Sequence, residues 1–132
     1  MQKTTIRLPL YVSPVQAGFP SPADDYIELD LDLNDYLIDK PHSTFCVRVK
    51  GNSMEGTLIR KDDILIVDRS KTPTNGRVIV AALNGEFTVK RLLITSAGAF
   101  LQAEHPAYDP IRIEPGMDFQ IWGVVTYTIH KQ

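Results

Sequence analysis

The chain has 132 residues, 43% hydrophobic and 23% charged, with a formal net charge of -2. That length holds one modest hydrophobic core with an extension, and so small a net charge gives no indication of a nucleic-acid or membrane-surface binder. Cys46, the single cysteine, excludes an internal disulfide framework, and neither a signal-peptide core nor a bilayer-spanning apolar run is present, so a soluble cytoplasmic protein is expected.

Residues 1–40 read as an N-terminal arm and residues 41–132 as a β-rich domain. Within the arm, Pro9, Pro14, Pro20 and Pro22 interrupt regular backbone bonding, and the apolar residues of 1–23 keep no sustained period. PVQAGFPSPADD is therefore expected to be exposed and extended: Pro20 drives Phe19 toward β or polyproline geometry, and Gly18 has no side chain to hold a local fold. Exposed segments of this kind are where proteases cut, although a plain linker would look the same. DYIELDLDL alternates as a strand, after which Asp32 can cap a short helix through Lys40, with Leu33, Tyr36 and Leu37 as its apolar stripe and Pro41 as its end. The segment Asp24–Lys40 carries seven acidic residues and one basic one, whereas Arg48–Arg91 carries nine basic and five acidic. Two solvated faces, or docking of the acidic segment on the basic body, both fit that division.

From Thr44 onward the pattern is β. In FCVRVK, Phe45, Val47 and Val49 share one face and Cys46, Arg48 and Lys50 the other; Cys46 is expected to be a buried small hydrophobe. DILIVD reads as a buried strand bracketed by Asp63 and Asp68, whose carboxylates are expected to cap, turn or stay solvated. RVIVAA and EFTVKRLL flank Asn84-Gly85, a type I′ hairpin signal. AFLQAE, IRI and IWGVVTYTIH follow; the last needs cover on both faces, with Gly123 marking a bulge. Many short strands with glycine or proline turns predict a mainly β, compact and strongly bent domain.

Two residues in this β region carry chemistry. Ser53 follows Gly51-Asn52 where the chain leaves a strand, a corner at which a hydroxyl projects and the backbone N–H groups of Ser53 and Met54 can face a developing oxyanion. Lys90 sits mid-strand among apolar residues, either snorkelling to water or desolvated. If desolvated, its amine becomes available as a base for the Ser53 proton. Thr88, two residues earlier on the same face, can orient that amine, while Arg91 points away as a surface residue. A histidine-based alternative has His42, His105 and His130 as candidates, none tied to Ser53 by a motif. One cysteine and no close histidine pair give no metal site and no cofactor, and neither a phosphate loop nor aromatics interleaved with basic residues is present.

GNSMEGTLIRKDDILIVD, NGRVIVAALNGEFTVKRL and FQIWGVVTYTIH together resemble the LexA/UmuD family of serine–lysine self-cleaving peptidases (peptidase S24), on its UmuD branch of DNA polymerase V accessory subunits. The resemblance covers essentially the whole chain. It implies a LexA-like C-terminal peptidase domain with an extended arm, Ser53 as nucleophile, Lys90 as general base, and a scissile bond between Ala17 and Gly18. It also implies a bacterial homodimer that works in SOS mutagenesis, a RecA–single-stranded-DNA filament acting as co-protease, and assembly with a UmuC-like Y-family polymerase for translesion synthesis. Direct sequence-specific DNA binding is not expected, because no winged helix-turn-helix precedes the cleavage site; nor is membrane attachment, because there is no anchor. The family has glycine-aspartate where this chain has Asp62-Asp63, which puts the geometry of that turn in question. The alternative function is a non-proteolytic binding module, or a dimerising modulator of a polymerase or repressor.

Overall fold

Alternating apolar residues separated by tight turns produce strands that pair locally. The computed structural model describes residues 5–11, 27–51, 59–104 and 107–132. The chain divides into two units, Met1–Asp39 and Lys40–Gln132.

In the first unit β1 (Arg7–Tyr11) pairs antiparallel with β2 (Ile27–Asp32). This corrects the expectation of an irregular segment at 7–11. In a two-stranded ribbon both strands are edges, and an edge tolerates the missing N–H of Pro9, which stands opposite Asp30. Helix α1 (Leu33–Leu37) starts as expected on Asp32, whose Oδ1 accepts the Asn34 N–H at 3.0 Å and the Asp35 N–H at 3.5 Å. It ends at Leu37 rather than Lys40, because Pro41 keeps Lys40 extended (φ -128°) and Ile38 has already left the helix at φ -120°. A 3₁₀ turn at Pro41–Ser43 belongs to the second unit.

The second unit is mainly β. Its strands are β3 (Thr44–Arg48), β4 (Ile64–Asp68), β5 (Val78–Leu83), β6 (Glu86–Thr95), β7 (Gly98–Gln102), β8 (Ile111–Arg112) and β9 (Phe119–Ile129). Among the described residues they form one antiparallel sheet in the order β3-β4-β9-β5-β6-β7-β8. Asn84 and Gly85 take φ of 51° and 83° between β5 and β6, the two left-handed residues that a type I′ turn requires.

Apolar residues cover both faces of β5. Val80 joins Val49, Ile59, Leu65 and Val67 in one cluster, while Ile79 and Ala81 join Leu92, Leu101 and Val124 in another. β9 runs between β4 and β5 with the bulge expected at Gly123: Val80 pairs with Gly123 and Ala81 with Ile121, so Trp122 is skipped in the register with β5. A Cβ on Gly123 would lie 2.6 Å from Val67 Cγ1, so only glycine fits this close crossing. Cover fails at the end of β9, where Tyr127 and Ile129 are exposed. Cys46 is also exposed, contrary to expectation. β3 ends the sheet, and its Cys46–Arg48 face alternates away from the face of Phe45 and Val47 that meets the core.

Candidate active site

Lys90 belongs to the first half of β6, opposite Ile79 of β5, while Thr88 stands opposite Ala81. β7 joins β6 only from Arg91 onward. The Glu86–Lys90 half of β6 therefore has β5 as its only strand neighbour among the described residues. Strand alternation puts Thr88 and Lys90 on the face of Leu92, which is buried. The lysine stem is thus covered, and burial lowers the pKa of its amine from the ordinary 10.5. Lys90 Nζ donates to Thr88 Oγ1 at 2.6 Å. A partly buried amine with a lowered pKa, held by a neighbouring hydroxyl, has the properties of a general base.

Thr88 also lines a cleft of about 740 Å³ within the second unit. Phe45, Val47, Phe87, Val89 and Trp122 contribute apolar surface, and Arg69 and Lys50 contribute charge. The bulge sets Trp122 against Phe87 at 5.2 Å between centroids and 62° between planes, with the Arg69 guanidinium 5.1 Å from the indole. The Trp122 Nε1–H is buried without an acceptor among the described residues. An apolar cleft lined by edge strand β3 and by β6 suits an extended peptide, which recognises strand edges through its backbone.

Lys50, which also lines the cleft, precedes Gly51 in the chain. Gly51 takes φ 78°, a left-handed bend that glycine adopts without cost. Ser53 and Met54 lie outside the described residues, as do Ala17, Gly18 and His105.

Two polar centres brace the sheet. Asp63 is 2% exposed, and its Oδ1 lies 2.6 Å from His130 Nδ1, while its Oδ2 accepts the Arg60 N–H at 2.8 Å. Burial alone would raise this carboxyl, yet the Arg60 N–H and His130 outweigh it and leave the pKa below 3.8. The carboxylate is thus ionised, and His130 donates to it from Nδ1. Asp63 turns the chain through the Arg60 N–H, as expected, but it also holds an imidazole, which was not expected. No local pattern signals that contact, because it depends on β4 and β9 being neighbours, with Ile64 opposite Ile129. The Asp63 carbonyl accepts the Val49 N–H at 2.8 Å, and Asp62 N–H donates to the Val49 carbonyl at 2.9 Å, so the pair anchors the chain just ahead of Gly51. Asp62 has φ 71°: aspartate here takes the left-handed geometry that glycine usually supplies.

Asp68 forms the second centre. The Ser70 hydroxyl, chiefly, with the Ser70 N–H and the Ser43 hydroxyl, holds its carboxyl below the usual range against the opposing effect of burial. Arg91, expected at the bare surface, is half-buried; it ion-pairs with Glu104 and donates to the Gly76 carbonyl at 2.6 Å. Among the described residues, no three His, Cys, Asp or Glu side chains group to hold a metal ion, and no helix is long and apolar enough to cross a membrane.

A family model described as "Peptidase S24-like" matches residues 9–126. The chain is 42% identical over 129 residues to Protein ImpA of Salmonella typhimurium, an alignment covering 93% of this chain and 83% of that protein. It is 45% identical over 123 residues to Protein SamA of Salmonella typhimurium strain LT2, covering 93% and 85%. The LexA repressor of Acidovorax sp. strain JS42 is 37% identical over 127 residues, covering 96% of this chain and 55% of the repressor.

Proposed function

The chain belongs to the S24-like peptidase family and is a serine peptidase, and on that premise we propose that it cleaves its own Ala17–Gly18 bond with Ser53 as nucleophile and Lys90 as general base. The observation that carries the residue assignment is Lys90 itself: partly buried, its pKa lowered by burial, and hydrogen-bonded to Thr88, which lines an apolar cleft.

The chemistry follows from the groups. The Ala17–Gly18 peptide, from the same chain or from a second copy, is presented to Ser53 as an extended segment. Neutral Lys90 takes the Ser53 Oγ proton as Oγ bonds to the Ala17 carbonyl carbon, and the backbone N–H groups of Ser53 and Met54 receive the negative charge on the carbonyl oxygen. The Lys90 ammonium returns that proton to the Gly18 nitrogen, the C–N bond breaks, and Ala17 remains as a serine ester. Lys90 then takes a proton from water as the water oxygen bonds to the ester carbon, and returns that proton to Ser53 Oγ as the C–O bond breaks; the new Ala17 carboxyl loses its proton to solvent. Thr88 fixes the amine through the hydrogen bond already in place.

The cut serves the bacterial SOS response. The processed chain, starting at Gly18, acts in the cytoplasm as a homodimeric accessory subunit of a UmuC-like Y-family polymerase in translesion synthesis. A RecA–single-stranded-DNA filament promotes the cut as co-protease. Incubating the chain at neutral pH with RecA, single-stranded DNA and nucleotide, and measuring intact mass, should yield a Gly18-started fragment from wild type and none from Ser53→Ala. If wild type stays intact while still binding the polymerase, the chain is a non-proteolytic binding module instead.

A further inference from the structure

Asp63 is a buried carboxylate that the chemistry above leaves unused, yet its bonds fall on both sides of the segment that contains Ser53. Upstream, its carbonyl accepts the Val49 N–H at 2.8 Å, and the Asp62 N–H donates to the Val49 carbonyl at 2.9 Å. Downstream, its Oδ2 accepts the Arg60 N–H at 2.8 Å, and the Asp63 N–H donates to the Arg60 carbonyl at 3.1 Å. Val49 and Ile59 are buried in one apolar cluster, so packing holds the same two places. In sequence, Ser53 falls between these two anchors.

The upstream anchor is all backbone, but the downstream one depends on which way a side chain points. A carboxylate keeps one orientation when both of its oxygens are engaged, and Oδ1 is engaged by His130 Nδ1 at 2.6 Å. His130 is brought there by β9, whose Ile129 stands opposite Ile64 of β4. We propose that His130 is a positioning residue for the self-cut: by holding the Asp63 carboxylate it fixes both ends of the Ser53 segment, and so sets where Ser53 meets the scissile bond and Lys90. The proposal rests on the peptidase reading above. Acyl transfer needs its reacting atoms about 3–3.5 Å apart, and a displacement of about 1 Å costs up to about 100-fold in rate. An imidazole donates from Nδ1 whether neutral or protonated, so the brace persists at alkaline pH, where Lys90 is neutral.

The test compares the full chain with His130→Ala, His130→Asn and Ile111→Ala. Each is incubated without a co-protease across alkaline pH, under conditions where urea unfolding shows it to be folded, and the Gly18-started fragment is followed by intact mass. His130→Ala should lower the alkaline plateau about ten- to hundredfold, with the midpoint of the pH profile unmoved because Lys90 and Thr88 are untouched. Asparagine places an amide N–H close to where Nδ1 stands, so His130→Asn should stay within about threefold of wild type. Ile111→Ala lowers stability from β8, at the other end of the sheet from β3, and should also stay within about threefold. If His130→Ala is too unstable to measure, His130→Phe keeps the ring without the donor and takes its place, with the same expectations. A wild-type rate without the donor, a loss that His130→Asn does not recover, or an equal loss in Ile111→Ala would each overturn the positioning role and leave the peptidase reading standing. A wild-type chain that stays uncut would overturn the peptidase reading and this role with it.

Discussion

Gly123→Ala puts a methyl group where β9 crosses β4. The new Cβ would sit 2.6 Å from Val67 Cγ1 and 3.1 Å from the Asp68 carbonyl oxygen, both inside ordinary contact. Val67 is fully buried, and the second contact is backbone, so neither moves aside cheaply. Overpacking of this kind costs about 2–3 kcal/mol. Restricting the unfolded chain returns about 0.5–1 kcal/mol, leaving a net loss of about 1–2.5 kcal/mol. For a unit of this size that lowers the melting temperature by about 4–20 °C. Val67→Ala alone should cost about 2 kcal/mol, but in the Gly123→Ala background it removes the clashing methyl, so the double variant should be more stable than the sum of the singles by about 1 kcal/mol or more. Urea unfolding of the four proteins measures both quantities. A Gly123→Ala protein melting within about 1 °C of wild type, or strictly additive variants, would refute the close-crossing argument. Because Gly123 follows Trp122, which the register with β5 skips, the variant should also disturb the aromatic wall of the cleft.

Self-cleavage without a co-protease should rise with pH and level off below the ordinary lysine value of 10.5, since burial lowers the Lys90 pKa. Thr88→Val removes an acceptor that favours the ammonium, so the midpoint should fall further while the alkaline plateau drops about three- to tenfold for loss of one orienting hydrogen bond; an unchanged pH–rate profile would count against that role. His130→Ala should cost about 1.5–3 kcal/mol in urea at neutral pH by removing a donor from the buried Asp63. Because the folded Asp63 carboxyl is held below 3.8, that stabilisation is fully present above this value and is lost as pH falls through the folded one; a gap that persists unchanged in strong acid would contradict it. At Asp62, with φ 71°, valine should lose about 1–2 kcal/mol and glycine should stay within about 0.5 kcal/mol, by the same unfolding measurement.

Local signals were legible where one short stretch decides the outcome. Asn84-Gly85 encodes its own turn, and the period of FCVRVK separates the Phe45 face from the Arg48 face. Lys90 stood out because a lysine amid Thr88, Val89 and Leu92 has to be accommodated somehow. What depended on strand order was not legible. Alternation cannot reveal that β3 ends the sheet, so Cys46 was expected to be buried when it is exposed. Pro9 looked like a breaker, because an edge position that tolerates it exists only once β2 has paired. His130 and Asp63 meet only through the β4–β9 pairing, and Arg91 finds Glu104 beyond β7, two residues past its register partner Gln102.

Whether Ser53 and Lys90 cut the Ala17–Gly18 bond is decided by intact-mass measurement of purified wild type, Ser53→Ala and Lys90→Ala after incubation at alkaline pH without RecA, where neutral lysine is populated. A fragment starting at Gly18 should form from wild type and from neither variant. The same fragment from Lys90→Ala at the wild-type rate, or a wild-type cut at another bond, would contradict that assignment.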